Sequence, residues 1–124
     1  MADSLPLLKG TLDVLVLRAL AWAPMHGFEI TSWLEERSGA AGAALSVDAP
    51  AVYQALYRLE ARELVAAEWG ISEKQRRARY YRLTARGRAH LRGEADAWRR
   101  YAAAVSAILD GVPAGTPDGA PANG

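Results

Sequence analysis

Residues 48–62 read DAPAVYQALYRLEAR and residues 64–84 read LVAAEWGISEKQRRARYYRLT, and the step from the first to the second decides the fold. Asp48 can cap a helix, and Pro50 sits in its first turn, where no amide hydrogen bond is lost. The spacing predicts a helix over 49–62. Val52, Ala55, Leu56 and Leu59 share one face of it, and Tyr53, Gln54, Tyr57, Arg58 and Glu60 lie toward the other. The period then changes from that of a helix to that of strands. Leu64 to Trp69 and Arg79 to Thr84 are rich in Val, Trp, Tyr and Leu, and the segment between them, Gly70 to Ala78, is polar and basic. These runs predict a hairpin with a long charged loop.

Working outward, Leu8, Leu12, Leu15, Val16, Ala19 and Leu20 recur at three- and four-residue steps, which predicts a first helix over 8–21 that stops before Pro24. Trp22 ends it. A second helix is expected over 26–37, with Ile30, Trp33 and Leu34 together. The uncharged stretch from Gly39 to Ala44 reads as a flexible connection. After the hairpin, Thr84 to Leu109 is a helical run about 39 Å long at 1.5 Å per residue. Along it Leu91, Ala95, Trp98, Ala102, Val105 and Leu109 are spaced alternately by four and three, the seam of a coiled coil. The shorter helices cannot cover all of that stripe, so a second copy about a two-fold axis is expected there. From Gly111 to Gly124 the chain is mostly Gly, Pro and Ala and is expected to be disordered. The domain reading is therefore 1–83 for a compact head, 84–110 for a dimerisation helix and 111–124 for a tail.

With 124 residues and 51% apolar content the chain suits one modest core. It has no cysteine, which removes disulfides and thiolate metal sites and fits a reducing compartment. The longest apolar stretch, Leu12 to Pro24, is broken by Asp13 and Arg18 and is too short to span a bilayer. No signal-peptide pattern opens the chain, so a cytoplasmic protein is expected. Net charge is only +1, but its distribution is uneven: residues 73–100 hold ten Lys and Arg against three acids, and residues 1–72 hold five against nine. A basic block of this kind suits a polyanion. Arg outnumbers Lys 13 to 2 beside many Ala and Gly, which points to a bacterium with a GC-rich genome. His26 and His90 lie in separate elements without metal-ligand spacing, and there is no phosphate-binding glycine loop or nucleophile elbow. An enzyme is not expected, nor any cofactor. His26, just before Gly27, suits a capping or packing role.

Three helices, a hairpin with a basic loop and a long last helix give a mainly α chain with a small β-hairpin, the plan of a winged helix-turn-helix with a long C-terminal dimerisation helix. Five motifs in order resemble the PadR-like transcriptional regulators: Leu8 to Asp13 (LKGTLD), Pro24 to Phe28 (PMHGF), Tyr53 to Glu60 (YQALYRLE), Ala67 to Gly70 (AEWG), and Arg76 to Thr84 (RRARYYRLT) with Gly87. The likeness runs over about residues 7–109 and is to the small branch with one helix after the wing. It implies a homodimeric repressor that sits on a double-stranded DNA operator and leaves when a small molecule binds. Pro50 and Ala51 stand where the family usually has Gly followed by Ser or Thr. Gln54 stands where proline is common, and Gln75 replaces a usual wing-tip glycine.

Tyr53, Gln54, Tyr57 and Arg58 are the candidates for reading DNA, since Gln pairs with adenine and Arg with guanine in the major groove. The competing use of the tyrosines is packing against the wing or the last helix. Lys74, Arg76, Arg77 and Arg79 form the candidate phosphate-binding wing, although strand alternation can turn some arginines away. Trp98 lies on the expected dimer seam; the resemblance implies a flat hydrophobic effector site there, with plain interface packing as the competing use. Trp33 and Trp69 are expected in the core. The alternative function is a winged helix that contacts protein and never DNA.

Overall fold

The computed structural model describes residues 4–5, 8, 10–42 and 44–111. Residues 112–124, most of the expected tail, lie outside the described residues. Two compact units divide the chain, one reaching Gly93 and the other beginning at Glu94.

In the first unit a two-residue strand, β1 (Ser4–Leu5), precedes α1 (Leu12–Trp22). The first helix starts four residues later than its periodicity suggests. Gly10 takes a positive φ of 89°, and Thr11 turns back on Leu8, whose carbonyl accepts from both its amide and its hydroxyl. Leu8 is therefore exposed, while Val16, Leu17, Ala19 and Leu20 are buried. A short strand, β2 (Met25–His26), leads into α2 (Gly27–Gly39). His26 is its N-cap: Nδ1 accepts from the Glu29 amide at 3.2 Å, and Glu29 Oε1 accepts from the His26 amide at 3.1 Å. This is a capping box in which an imidazole does what Ser or Thr usually does. On the outer side of α2 the Arg37 guanidinium lies 4.7 Å from the rings of both Trp22 and Trp33.

The connection after α2 is more ordered than its composition suggests. Ala41 and Gly42 close turns onto the Ser38 and Gly39 carbonyls, and Ser38 Oγ accepts from the Leu45 amide at 2.8 Å. This fixes β3 (Ala44–Leu45), which pairs in parallel with β1.

The third helix, α3 (Ala49–Ala61), forms as predicted, with Asp48 Oδ2 accepting from the Ala51 amide at 3.3 Å. Its apolar face, Val52, Ala55, Leu56 and Leu59, is wholly buried. The helix ends in a Schellman turn: the Leu64 amide donates to the Leu59 carbonyl and the Glu63 amide to the Glu60 carbonyl, with Glu63 at φ 62°. Strands β4 (Val65–Ile71) and β5 (Arg77–Leu83) follow, seven residues each, so the hairpin loop is 72–76 and shorter than predicted. The loop closes tightly because Ser72 accepts through its carbonyl from Gln75 and through Oγ from Arg76. Gln75 takes a left-handed φ of 62°. The sheet order is β2-β5-β4, antiparallel throughout.

The last helix, α4 (Ala85–Leu109), begins on Thr84, whose hydroxyl donates to the Glu63 and Leu64 carbonyls and accepts from the Gly87 amide at 2.9 Å. Gly87 is needed because a Cβ there would collide with the Leu64 carbonyl. Leu91, predicted at the head of the dimer seam, is buried in the core of the first unit with Leu83 and Leu64. That explains why the compact unit runs on to Gly93 and does not stop at the end of the wing.

In the second unit the helix carries Trp98, Tyr101, Val105, Ile108 and Leu109 as exposed large apolar residues, and the rings of Trp98 and Tyr101 lie 6.2 Å apart.

Candidate nucleic-acid interface

A helix whose inner face is fixed by four buried side chains presents its outer face without choice. On α3 the pairs Tyr53–Tyr57 and Gln54–Arg58 are each one turn apart and form two adjacent rows. The tyrosine row faces an open groove bounded by α2, α3 and the wing. That groove is lined by Phe28, Tyr53, Tyr57, Trp69, Lys74, Arg76, Arg77, Arg79 and Tyr81, with Glu29, Glu36 and Glu73 among its acids. Six of the eight residues singled out from the sequence therefore meet on one surface. Gln54 and Arg58, both exposed, lie on the neighbouring row outside it.

Tyr53 serves packing as well as presentation. Its ring lies over the start of α2, so close that a Cβ on Gly27 would come within 2.5 Å of it. Tyr57 stays more open, at 53% exposure.

Strand alternation sorts the wing. Trp69 pairs with Arg79 and Ala67 with Tyr81, so Arg77, Arg79 and Tyr81 share one face with Trp69, and Arg82 and Tyr80 point to the other. Arg79 is held within the protein: Nη1 and Nη2 donate to the two oxygens of Glu60 at 3.0 and 2.8 Å, and Nη1 also approaches the Tyr81 hydroxyl at 3.4 Å. These hydrogen bonds to Glu60 raise the Arg79 pKa further, and burial pushes the Tyr81 phenol up. Arg79 thus fastens the wing to α3. Arg77 instead stacks over Trp69 at 4.4 Å, and Lys74 and Arg76 stand exposed at the tip. Trp69, predicted as core, is 58% exposed. The hairpin runs on past the core, so the inward-facing positions of its outer half face the groove. Its place next to Gly70 and opposite Arg79, near the hairpin's tip, was the available signal.

Arg58 also has a partner. Its Nη2 and Nε donate to Asp13 at 2.7 and 3.4 Å, across from the first turn of α1, and the hydrogen bond to the carboxylate raises its pKa. Nothing in the local sequence pairs positions so far apart.

Among the described residues no group of three or more His, Cys, Asp or Glu could hold a metal ion, and no helix is long and apolar enough to cross a membrane.

The family model described as "Transcriptional regulator PadR-like family" matches residues 16–93. A PadR-family transcriptional regulator from Eggerthella lenta has a crystal structure with 28% identity and a TM-score of 0.69, covering 84% of this chain and 86% of that one. Bacillus subtilis PadR, crystallised in complex with operator DNA, shares the fold at 21% identity with a TM-score of 0.58 over 69% of this chain and 47% of that protein. A 37.1 kDa transposon-encoded protein of Streptomyces fradiae is 38% identical over 102 residues, which is 81% of this chain but 27% of the relative. Since the family model takes in α1 from Val16, α2, α3, the hairpin and the buried head of the last helix, this chain belongs to the PadR-like family of transcriptional regulators.

Proposed function

We propose that the protein is a sequence-specific DNA-binding regulator in which α3 enters the major groove and the wing follows the phosphates. The observation that carries this reading is the convergence of Tyr53 and Tyr57 with Lys74, Arg76 and Arg77 on one groove. Aromatic hydroxyls and cations on a rigid helix and hairpin can meet phosphate oxygens, while Gln54 and the part of the Arg58 guanidinium that Asp13 leaves unused face outward on the next row, toward base edges. Pro50 and Ala51 leave the helix start without a hydroxyl, and Asp48 caps it instead. Arg79 supports the wing.

The protein works as a cytoplasmic homodimer. The stripe on α4, Ala95, Trp98, Ala102, Val105 and Leu109, with Tyr101 and Ile108 beside it, is apolar and largely exposed in one chain, which favours a second copy as its cover. Sedimentation velocity at micromolar concentration should return a dimer; a monomer would reject this part. Operator release by a planar hydrophobic effector stacked on Trp98 completes the repressor reading.

The decisive experiment is fluorescence anisotropy with a labelled duplex from the region upstream of the gene, beside a scrambled duplex, across a salt series. Selective binding that weakens with salt is expected, and replacing Arg76 and Arg77 by Ala should flatten the salt dependence by about 0.9 in log–log slope per lost phosphate contact. Loss of neither affinity nor slope in that double variant, or no duplex bound at all, would move the groove from DNA to a protein partner.

A further inference from the structure

The ion pair between Asp13 and Arg58 joins α1 to the outward face of α3, and both side chains remain open to solvent, at 32% and 55%. The carboxylate takes the Nε–H and one Nη2–H of the guanidinium, the side-on edge. The end-on edge, with one Nη1 hydrogen and the second Nη2 hydrogen, is left unused by Asp13. Such a two-donor fork can pair with guanine O6 and N7.

We infer that Asp13 is a specificity-determining residue: by neutralising Arg58 and fixing its plane, it restricts that arginine to neutral base edges and keeps it from acting as a phosphate anchor. This rests on the DNA-binding reading above. A lone arginine beside DNA is drawn to the nearest phosphate regardless of sequence, and each such contact adds counterion release to non-specific binding. With a carboxylate 2.7 Å from Nη2, the pair has no net charge. Asp13 repels an approaching phosphate and offsets part of its attraction to Arg58. Guanine, which offers neutral acceptors, pays no such penalty and gains an arginine whose rotamer is already set. The two groups come from different helices, so the orientation is as rigid as the packing of α1 on α3. Arg79 contrasts with this, since Glu60 occupies its end-on edge and leaves no fork for a base.

The test uses the full chain and two probes: the duplex that wild-type protein enriches from a random pool, and a scrambled duplex of the same composition. In D13N the affinity for scrambled DNA should rise several-fold, the salt slope should steepen by about 0.9 per protomer, and selectivity should fall about tenfold per half-site. All three effects should vanish when D13N is made in the R58A background, because the charge that Asp13 conceals is then gone. A carboxylate that merely ties two helices would weaken both duplexes alike and leave the slope unchanged, and that result would overturn the inference. Failure of wild type to enrich any duplex would instead overturn the DNA-binding reading beneath it.

Discussion

Replacing Gly87 by alanine should destabilise the winged unit even though alanine is the better helix former. On propensity alone the change gains about 1 kcal/mol. The added methyl, however, would collide with the Leu64 carbonyl and come within 3.2 Å of Leu83 Cδ2. Backbone on both sides must move, and three hydrogen bonds join the two segments or start the helix there: Thr84 amide to Leu64 carbonyl at 3.2 Å, Thr84 hydroxyl to the same carbonyl at 3.1 Å, and Gly87 amide to Thr84 Oγ1 at 2.9 Å. At about 1 kcal/mol net for each, losing them costs about 3 kcal/mol. The balance is a loss of about 2 kcal/mol, roughly 8–16 °C in Tm for a unit of this size. Gly93 on the same helix is the control, since a Cβ there would meet nothing within 4 Å. G93A should therefore gain about 0.8–1 kcal/mol. Urea unfolding followed by circular dichroism at one fixed protein concentration measures both. A G87A midpoint equal to or above wild type would refute the close-approach argument.

Two further outcomes follow from the backbone and from burial. Glu63 holds the left-handed turn that ends α3 at φ 62°, so E63G should raise the unfolding free energy read from the urea transition by roughly 0.5–1 kcal/mol, the left-handed penalty less the entropy that glycine adds to the unfolded chain. Tyr81 is 1% exposed and its phenol is pushed above the ordinary value, about 10. Its contribution is thus complete below that pH and is lost as pH rises through the folded-state value. Chemical denaturation across pH 8 to 11.5 should show this alkaline loss in wild type and a flatter profile in Y81F; equal slopes would contradict it.

Much of the fold was legible in local chemistry. The cap at Asp48, Pro50 in the first turn and the spacing of Val52, Ala55, Leu56 and Leu59 each depend on neighbours within a turn or two, and α3 forms where they place it. Of the two roles read for His26, capping and packing, the structure shows the cap, with Nδ1 accepting from the Glu29 amide three residues on. The candidate reader and wing could be named because cations and exposed aromatics were left over once the core face was assigned. Where the reading missed, contacts distant in sequence were responsible. Leu91 fits a dimer seam by spacing, but the approach of α4 allowed by Gly87 buries it in its own chain. Trp69 is apolar enough for a core, and the hairpin carries it beyond the core's edge.

What the sequence by itself determined was the order of the four helices and the hairpin, the buried face of α3 and the surplus of positive charge in the wing, since periodicity, capping and turn chemistry act over a few residues. What only the tertiary structure decided was which of those charges remain free. Arg79 closes on Glu60 and Arg58 on Asp13, partners 19 and 45 residues away, because the packing of one element on another brings them within hydrogen-bond reach. Electrostatic pairing depends on distance in space, which no local pattern records.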